Sequence, residues 1–106
     1  MNKYKVIVYA ICKNEEKYVD KWYDRVKEAD KIFVLDTGST DNTIRRLKEK
    51  DKVEEKEEKI IPWRFDIARN KSLDMVDKNS DICVCIDLDE VLIKGWRKLL
   101  EKHWKE

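Results

Sequence analysis

Histidine is almost missing from this chain. His103 is the single example in 106 residues, set among Lys102, Trp104 and Lys105, and it reads as a solvated residue at a helix end. Cysteine is scarce and odd in number: Cys12, Cys83 and Cys85. Two of them lie inside one apolar run, and there is neither a further cysteine pair nor another histidine to complete a tetrahedral zinc site. They read as reduced packing residues. No apolar stretch approaches the roughly 20 residues that span a bilayer, and Met1-Asn2-Lys3-Tyr4-Lys5 lacks the apolar core of a signal peptide. These features lead us to expect a cytoplasmic protein without a transmembrane segment. Charge of one sign is also lacking, because 24 basic and 23 acidic residues leave a formal +1. That balance argues against a nucleic-acid partner or capture by an anionic membrane. No repeat, linker or low-complexity segment interrupts the chain, which has the length of one domain.

What the chain does contain is an alternation of short apolar runs with longer amphipathic stretches, the pattern of strands joined by crossover helices. Residues 6–12 are almost continuously apolar, as suits a central parallel strand covered on both faces. Val19, Trp22, Tyr23 and Val26 then recur at helical spacing. Ile32-Phe33-Val34-Leu35 forms a second strand and runs into a turn-rich segment, Asp36-Thr37-Gly38-Ser39-Thr40-Asp41-Asn42-Thr43. Gly38 permits a tight reversal there, and Ser39, Thr40 or Asp41 can cap a helix over 41–50 with Ile44 and Leu47 inward. The exposed start of that helix would favour an anion. Residues 51–61 suit an edge strand guarded by lysine and glutamate, ended by Pro62. Phe65, Ala68, Ser72, Leu73 and Val76 mark a helix over 65–77. A buried strand over 82–88 follows, and Trp96, Leu99, Leu100 and Trp104 after Gly95 mark a last short helix.

The fold class expected is α/β: a three-layer sandwich with a mainly parallel sheet of order 3-2-1-4 and right-handed crossovers. Its consequence is chemical. Ligands of such sheets bind beyond the carboxyl ends of the strands, and those ends bring together Asn14-Glu15-Glu16, Asp36-Thr37, and Asp87 with Asp89. A carboxylate such as Asp36 can accept from a base N–H or a sugar hydroxyl. Asp87 and Asp89 can hold Mg²⁺ or Mn²⁺ against a diphosphate, and Arg69 can assist from the neighbouring helix.

Four segments resemble the family 2 glycosyltransferases of the GT-A fold, in order and approximate spacing: Ile11-Cys12-Lys13-Asn14-Glu15-Glu16; residues 36–43; Trp63 with Phe65-Asp66-Ile67-Ala68-Arg69-Asn70; and Asp87-Leu88-Asp89-Glu90-Val91-Leu92. The resemblance implies a nucleotide-sugar site and metal-dependent transfer to an unknown acceptor, with a uridine diphosphate sugar favoured as donor. In it the backbone at Ile11 and Lys13, together with Glu15, borders the nucleoside. Asp36 meets the base beside Thr37, Arg69 faces the phosphates, Asp87 reaches the ribose or the metal, and Asp89 is the principal metal ligand. The catalytic base is not assigned.

Such transferases usually continue well past the D-x-D, whereas 16 residues follow Glu90, so the chain is expected to be an amino-terminal, nucleotide-sugar-binding portion. Two alternatives stand beside transfer: nucleotide and metal binding without turnover, or a phosphohydrolase resembling the haloacid dehalogenase superfamily with Asp87 as nucleophile. An open sheet edge would invite self-association.

Overall fold

The computed structural model describes residues 4–59, 65–76, 79–90 and 92–103. The elements follow one another as β1 (Val6–Cys12), α1 (Glu16–Val26), β2 (Lys31–Asp36), α2 (Thr43–Lys48), β3 (Val53–Glu57), α3 (Phe65–Asp74), β4 (Ile82–Cys85) and α4 (Trp96–His103). Every strand pairing is parallel and the order is β3-β2-β1-β4. The expected topology is therefore the observed one. Ile60, Ile61, Pro62, Trp63, Val91 and Trp104 lie outside the described residues.

Alternation along β1 divides the core. Val6, Val8, Ala10 and Cys12 join Val19, Trp22 and Val26 of α1, Leu47 of α2 and Trp96 of α4 in one apolar cluster. Ile11 of β1 packs instead with Leu35 of β2 and Ala68 of α3. Side chains one residue apart on a strand face opposite ways, so β1 is buried from both sides and the sandwich has three layers. On α3 the inward residues are small: Ala68 and Ser72 are fully buried, and Ser72 Oγ donates to the Ala10 carbonyl at 3.1 Å. Leu73, one position round the helix, is exposed instead of inward-facing.

Several boundaries differ from the expected ones. α2 and α3 are shorter than 41–50 and 65–77, and β4 stops at Cys85 rather than at residue 88. Leu99 of α4 is 47% exposed, contrary to its expected inward position, because Trp96 and Arg97 take the buried side of that helix. It borders an open apolar groove with Val84, Leu92, Ile93, Trp96 and Leu100.

A buried arginine ties α4 to the far end of the sheet. Arg97 holds Asp30 with both terminal nitrogens, at 3.0 and 2.8 Å, and donates to the carbonyls of Glu28 and Tyr4. Asp30 Oδ2 also accepts the Val6 N–H at 2.8 Å. Burial pushes the Asp30 carboxyl up, but Arg97 and the Val6 amide more than offset it, leaving the group below the usual carboxylate range.

Candidate functional site

Where β1, β2 and β4 end, their following loops enclose an open cleft of about 220 Å³ lined by Ile11, Cys12, Lys13, Glu15, Thr37, Asp87 and Asp89. Three separate apolar runs thus deliver side chains to one concavity, as parallel topology dictates. Ile11, Lys13, Glu15, Thr37, Asp87 and Asp89 were all singled out from sequence. Cys12 was not, although its place as the last residue of β1 was the available signal.

The loops after β1 and β2 are sewn to each other. Asn14 adopts a positive φ of 52°, a conformation asparagine tolerates better than most residues. Its Oδ1 accepts the Thr40 N–H at 2.7 Å, and its own N–H donates to Ser39 Oγ at 2.8 Å. Thr43 Oγ1 accepts the Glu15 N–H at 2.9 Å, and Asp41 Oδ2 accepts that of Glu16 at 3.4 Å. Of the expected caps of α2, Asp41 therefore serves the start of α1 as well. Asp41 also accepts the Thr43 N–H at 3.0 Å, so the first amide of α2 is engaged within the loops.

Asp36 is the one sequence-nominated site residue whose carboxylate does not line this cleft. Its side chain is fully buried and turned into its own loop. Oδ1 accepts the N–H groups of Gly38 and Ser39 at 2.9 and 2.7 Å, while Oδ2 accepts the Ser39 hydroxyl and the Cys12 thiol. Gly38, at φ 128°, supplies the turn that brings those amides round. Burial, followed by the nearby Asp36 carboxylate, pushes the Cys12 thiol far above its ordinary range, so Cys12 is a neutral packing group. Thr37 comes to the cleft in place of Asp36, held by its N–H and its hydroxyl to the Cys12 carbonyl at 2.9 and 3.2 Å.

Around the D-x-D, the ladder gives way to side chains. The Ile86 N–H still pairs with the Tyr9 carbonyl at 3.2 Å, but the Ile86 carbonyl accepts from the Trp22 indole at 3.0 Å. In a continued parallel ladder that carbonyl would receive the Ile11 N–H. The Asp87 carboxylate takes its place, with Oδ1 at 3.4 Å from Ile11 N. Its other oxygen meets Arg69 Nη2 at 2.9 Å, both side chains being about a quarter exposed or less. Arg69 also donates to Cys85 Sγ. Leu88 is buried and pins the middle of the motif, whereas Asp89 and Glu90 are exposed. Glu90 closes the turn: its N–H bonds the Asp87 carbonyl and its carboxylate accepts the Asp87 N–H, each at 3.0 Å.

Three carboxylates and Lys13 are the charged side chains that line the cleft. Burial raises the Glu15 carboxyl above its ordinary range, and the charges of Asp89 and Asp87 add to the rise. Among the described residues no set of three His, Cys, Asp or Glu side chains is close enough to enclose a metal ion. The oxygen donors are nonetheless of the type a hard divalent cation takes, provided the remaining ligands come from outside the protein. Asp89 is the freer of the two D-x-D carboxylates, because Asp87 already has Arg69 and the Ile11 amide.

A four-stranded all-parallel sheet of this order, with an acidic cleft at its carboxyl rim, is consistent with the fold of nucleotide-diphospho-sugar transferases. The family model described as glycosyl transferase family 2 matches residues 7–106. The chain belongs to that family. No curated protein matches it. Family 2 enzymes generally use a divalent metal and a nucleotide-sugar donor, and no helix among the described residues is long and apolar enough to cross a membrane.

Proposed function

We propose that this chain forms the donor side of a metal-dependent glycosyltransferase, holding a nucleotide diphosphate sugar, with uridine diphosphate as the favoured nucleotide, in the cleft at the sheet rim. The observation that carries the proposal is the convergence of Ile11, Lys13, Glu15, Thr37, Asp87 and Asp89 from three strand ends around one open space.

In this reading the backbone at Ile11 and Lys13, with Glu15, borders the nucleoside, and Thr37 lies beside the base. Asp36 acts from beneath, by shaping the loop that carries Thr37, since its carboxylate is spent on Gly38 and Ser39. Arg69 faces the phosphate side and holds Asp87, which leaves Asp87 oriented toward the ribose or the metal. Asp89 is the principal metal ligand. Bound Mn²⁺ or Mg²⁺ would neutralise charge that develops on the departing diphosphate. The protein's own contribution is to fix the acids before the donor arrives, so that little reorganisation is needed on binding.

Transfer requires a base on the acceptor side, and none is assigned. Asp66 and Asp74 are exposed on α3, and Glu90 is occupied in its turn. Binding without turnover is the second reading, favoured because the donor-side roles proposed above take up every acid that lines the cleft. A phosphohydrolase using Asp87 is disfavoured by the family match.

The test is calorimetric titration of uridine diphosphate with and without Mn²⁺, followed by measurement of uridine diphosphate released from its sugar conjugates. Metal-dependent binding with release supports transferase chemistry, and metal-dependent binding alone supports the second reading. Absence of metal-dependent binding refutes both.

A further inference from the structure

We infer that Trp22, in the middle of α1 and outside the cleft, is a positioning residue for the D-x-D acids. This deepens the donor-site reading and rests on it for its effect on ligand affinity. The side chain is almost completely buried, and its ordinary role would be apolar filling between α1 and the sheet. Its indole N–H does something further.

The indole donates to the Ile86 carbonyl at 3.0 Å, one residue past the end of β4. Ile86 still gives its N–H to Tyr9, so the chain leaves the sheet between the two halves of a single residue. Turned toward Trp22, that carbonyl does not accept the Ile11 N–H, which bonds Asp87 instead, and a buried amide without an acceptor is costly. Asp87 supplies the substitute acceptor through Oδ1, which fixes the side of the strand on which its carboxylate lies. Arg69 then takes Oδ2 at 2.9 Å. With Asp87 held at both oxygens and Leu88 buried, Asp89 is left on the exposed side, lining the cleft with Glu15. A single donor in the hydrophobic layer thereby sets the exit of β4 and the direction of both acids. Phenylalanine would fill most of the same space and leave the carbonyl free to rejoin the ladder.

The experiment compares the intact chain with Trp22→Phe and with a second variant carrying 3-benzothienylalanine at position 22, which keeps the indole shape and replaces N–H by sulfur. Val19→Ala, in the same cluster, controls for loosened packing. The readouts are the Ile11 amide resonance and its exchange protection, and the Mn²⁺-dependent affinity for uridine diphosphate. We expect both position-22 variants to move the Ile11 resonance and to lose about tenfold in affinity, a difference of about 1.4 kcal/mol. The control should lose stability and keep both readouts. An unmoved Ile11 resonance in the benzothienyl variant overturns the inference, as does equal affinity loss in the control. If the intact chain binds no uridine diphosphate, the donor-site reading falls, and the Ile11 resonance still decides the role of Trp22.

Discussion

Asp36 separates the resemblance-based view of this site from the geometric one, and its replacement has a calculable cost. In Asp36→Ala the Gly38 and Ser39 amides lose acceptors at 2.9 and 2.7 Å, and the Ser39 hydroxyl loses a third. Hydrogen bonds to a charged group contribute about 1.5–3 kcal/mol each. Gly38 and Ser39 are only partly buried, so water recovers some of that loss. A net destabilisation of roughly 3 kcal/mol is expected. Asp36→Asn should lose only about 1 kcal/mol, because a single amide oxygen can still accept both N–H groups while its NH₂ turns toward Ser39 Oγ and Cys12 Sγ. Urea denaturation followed by circular dichroism measures both values, and calorimetry on the folded Asn variant measures uridine diphosphate affinity. A folded Asp36→Asn protein that keeps its affinity within about threefold, under 1 kcal/mol, fits a loop-shaping role. Equal destabilisation by Asn and Ala, or loss of affinity at unchanged stability, would refute the reasoning and put the carboxylate against the base.

Arg97→Met leaves Asp30 with the Val6 amide as its remaining partner and removes charged donors from the carbonyls of Tyr4 and Glu28. Breaking a buried pair costs about 3–5 kcal/mol, and with the Asp30 side chain 35% exposed the lower end, about 3 kcal/mol, is expected by urea denaturation. Since the folded Asp30 carboxyl lies below its ordinary 3.8, its stabilisation is present above that value and is lost as pH falls through the folded one; Arg97→Met should flatten this acid limb. For Glu15 the sign reverses. Its carboxyl is raised above 4.5, so ionisation penalises the fold as pH rises through that interval, and Glu15→Gln should gain stability at pH 7 relative to pH 4 in paired denaturation curves. Asp89→Ala should leave stability nearly unchanged, the side chain being exposed, yet abolish the Mn²⁺ dependence of nucleotide affinity in calorimetry.

Sheet order and layering were legible because β1 and β2 are apolar on both faces and the amphipathic segments between them demand crossovers. The cleft followed, since topology alone sends residues 11–15, 37 and 87–89 to one rim. The end of β4 was not legible. Ile86 continues the apolar pattern, and only the buried indole of Trp22 reveals that its carbonyl has left the ladder. The direction of the Asp36 carboxylate was not legible for a related reason: Asp-Thr-Gly-Ser reads alike whether the carboxylate faces a ligand or its own turn amides. Arg97 sits between Trp96 and Lys98, where nothing local in the sequence marks it as buried. Its burial depends on Asp30, 67 positions away in the chain.

The central claim, that one nucleotide and one cation occupy the rim cleft, is tested most directly by amide NMR with uridine diphosphate and Mn²⁺. The account predicts shifts at Ile11, Lys13 and Thr37 on adding the nucleotide, and paramagnetic broadening centred on Asp89 and Asp87 once the metal is present. Broadening centred elsewhere, or shifts that bypass the loops after β1, β2 and β4, would contradict it.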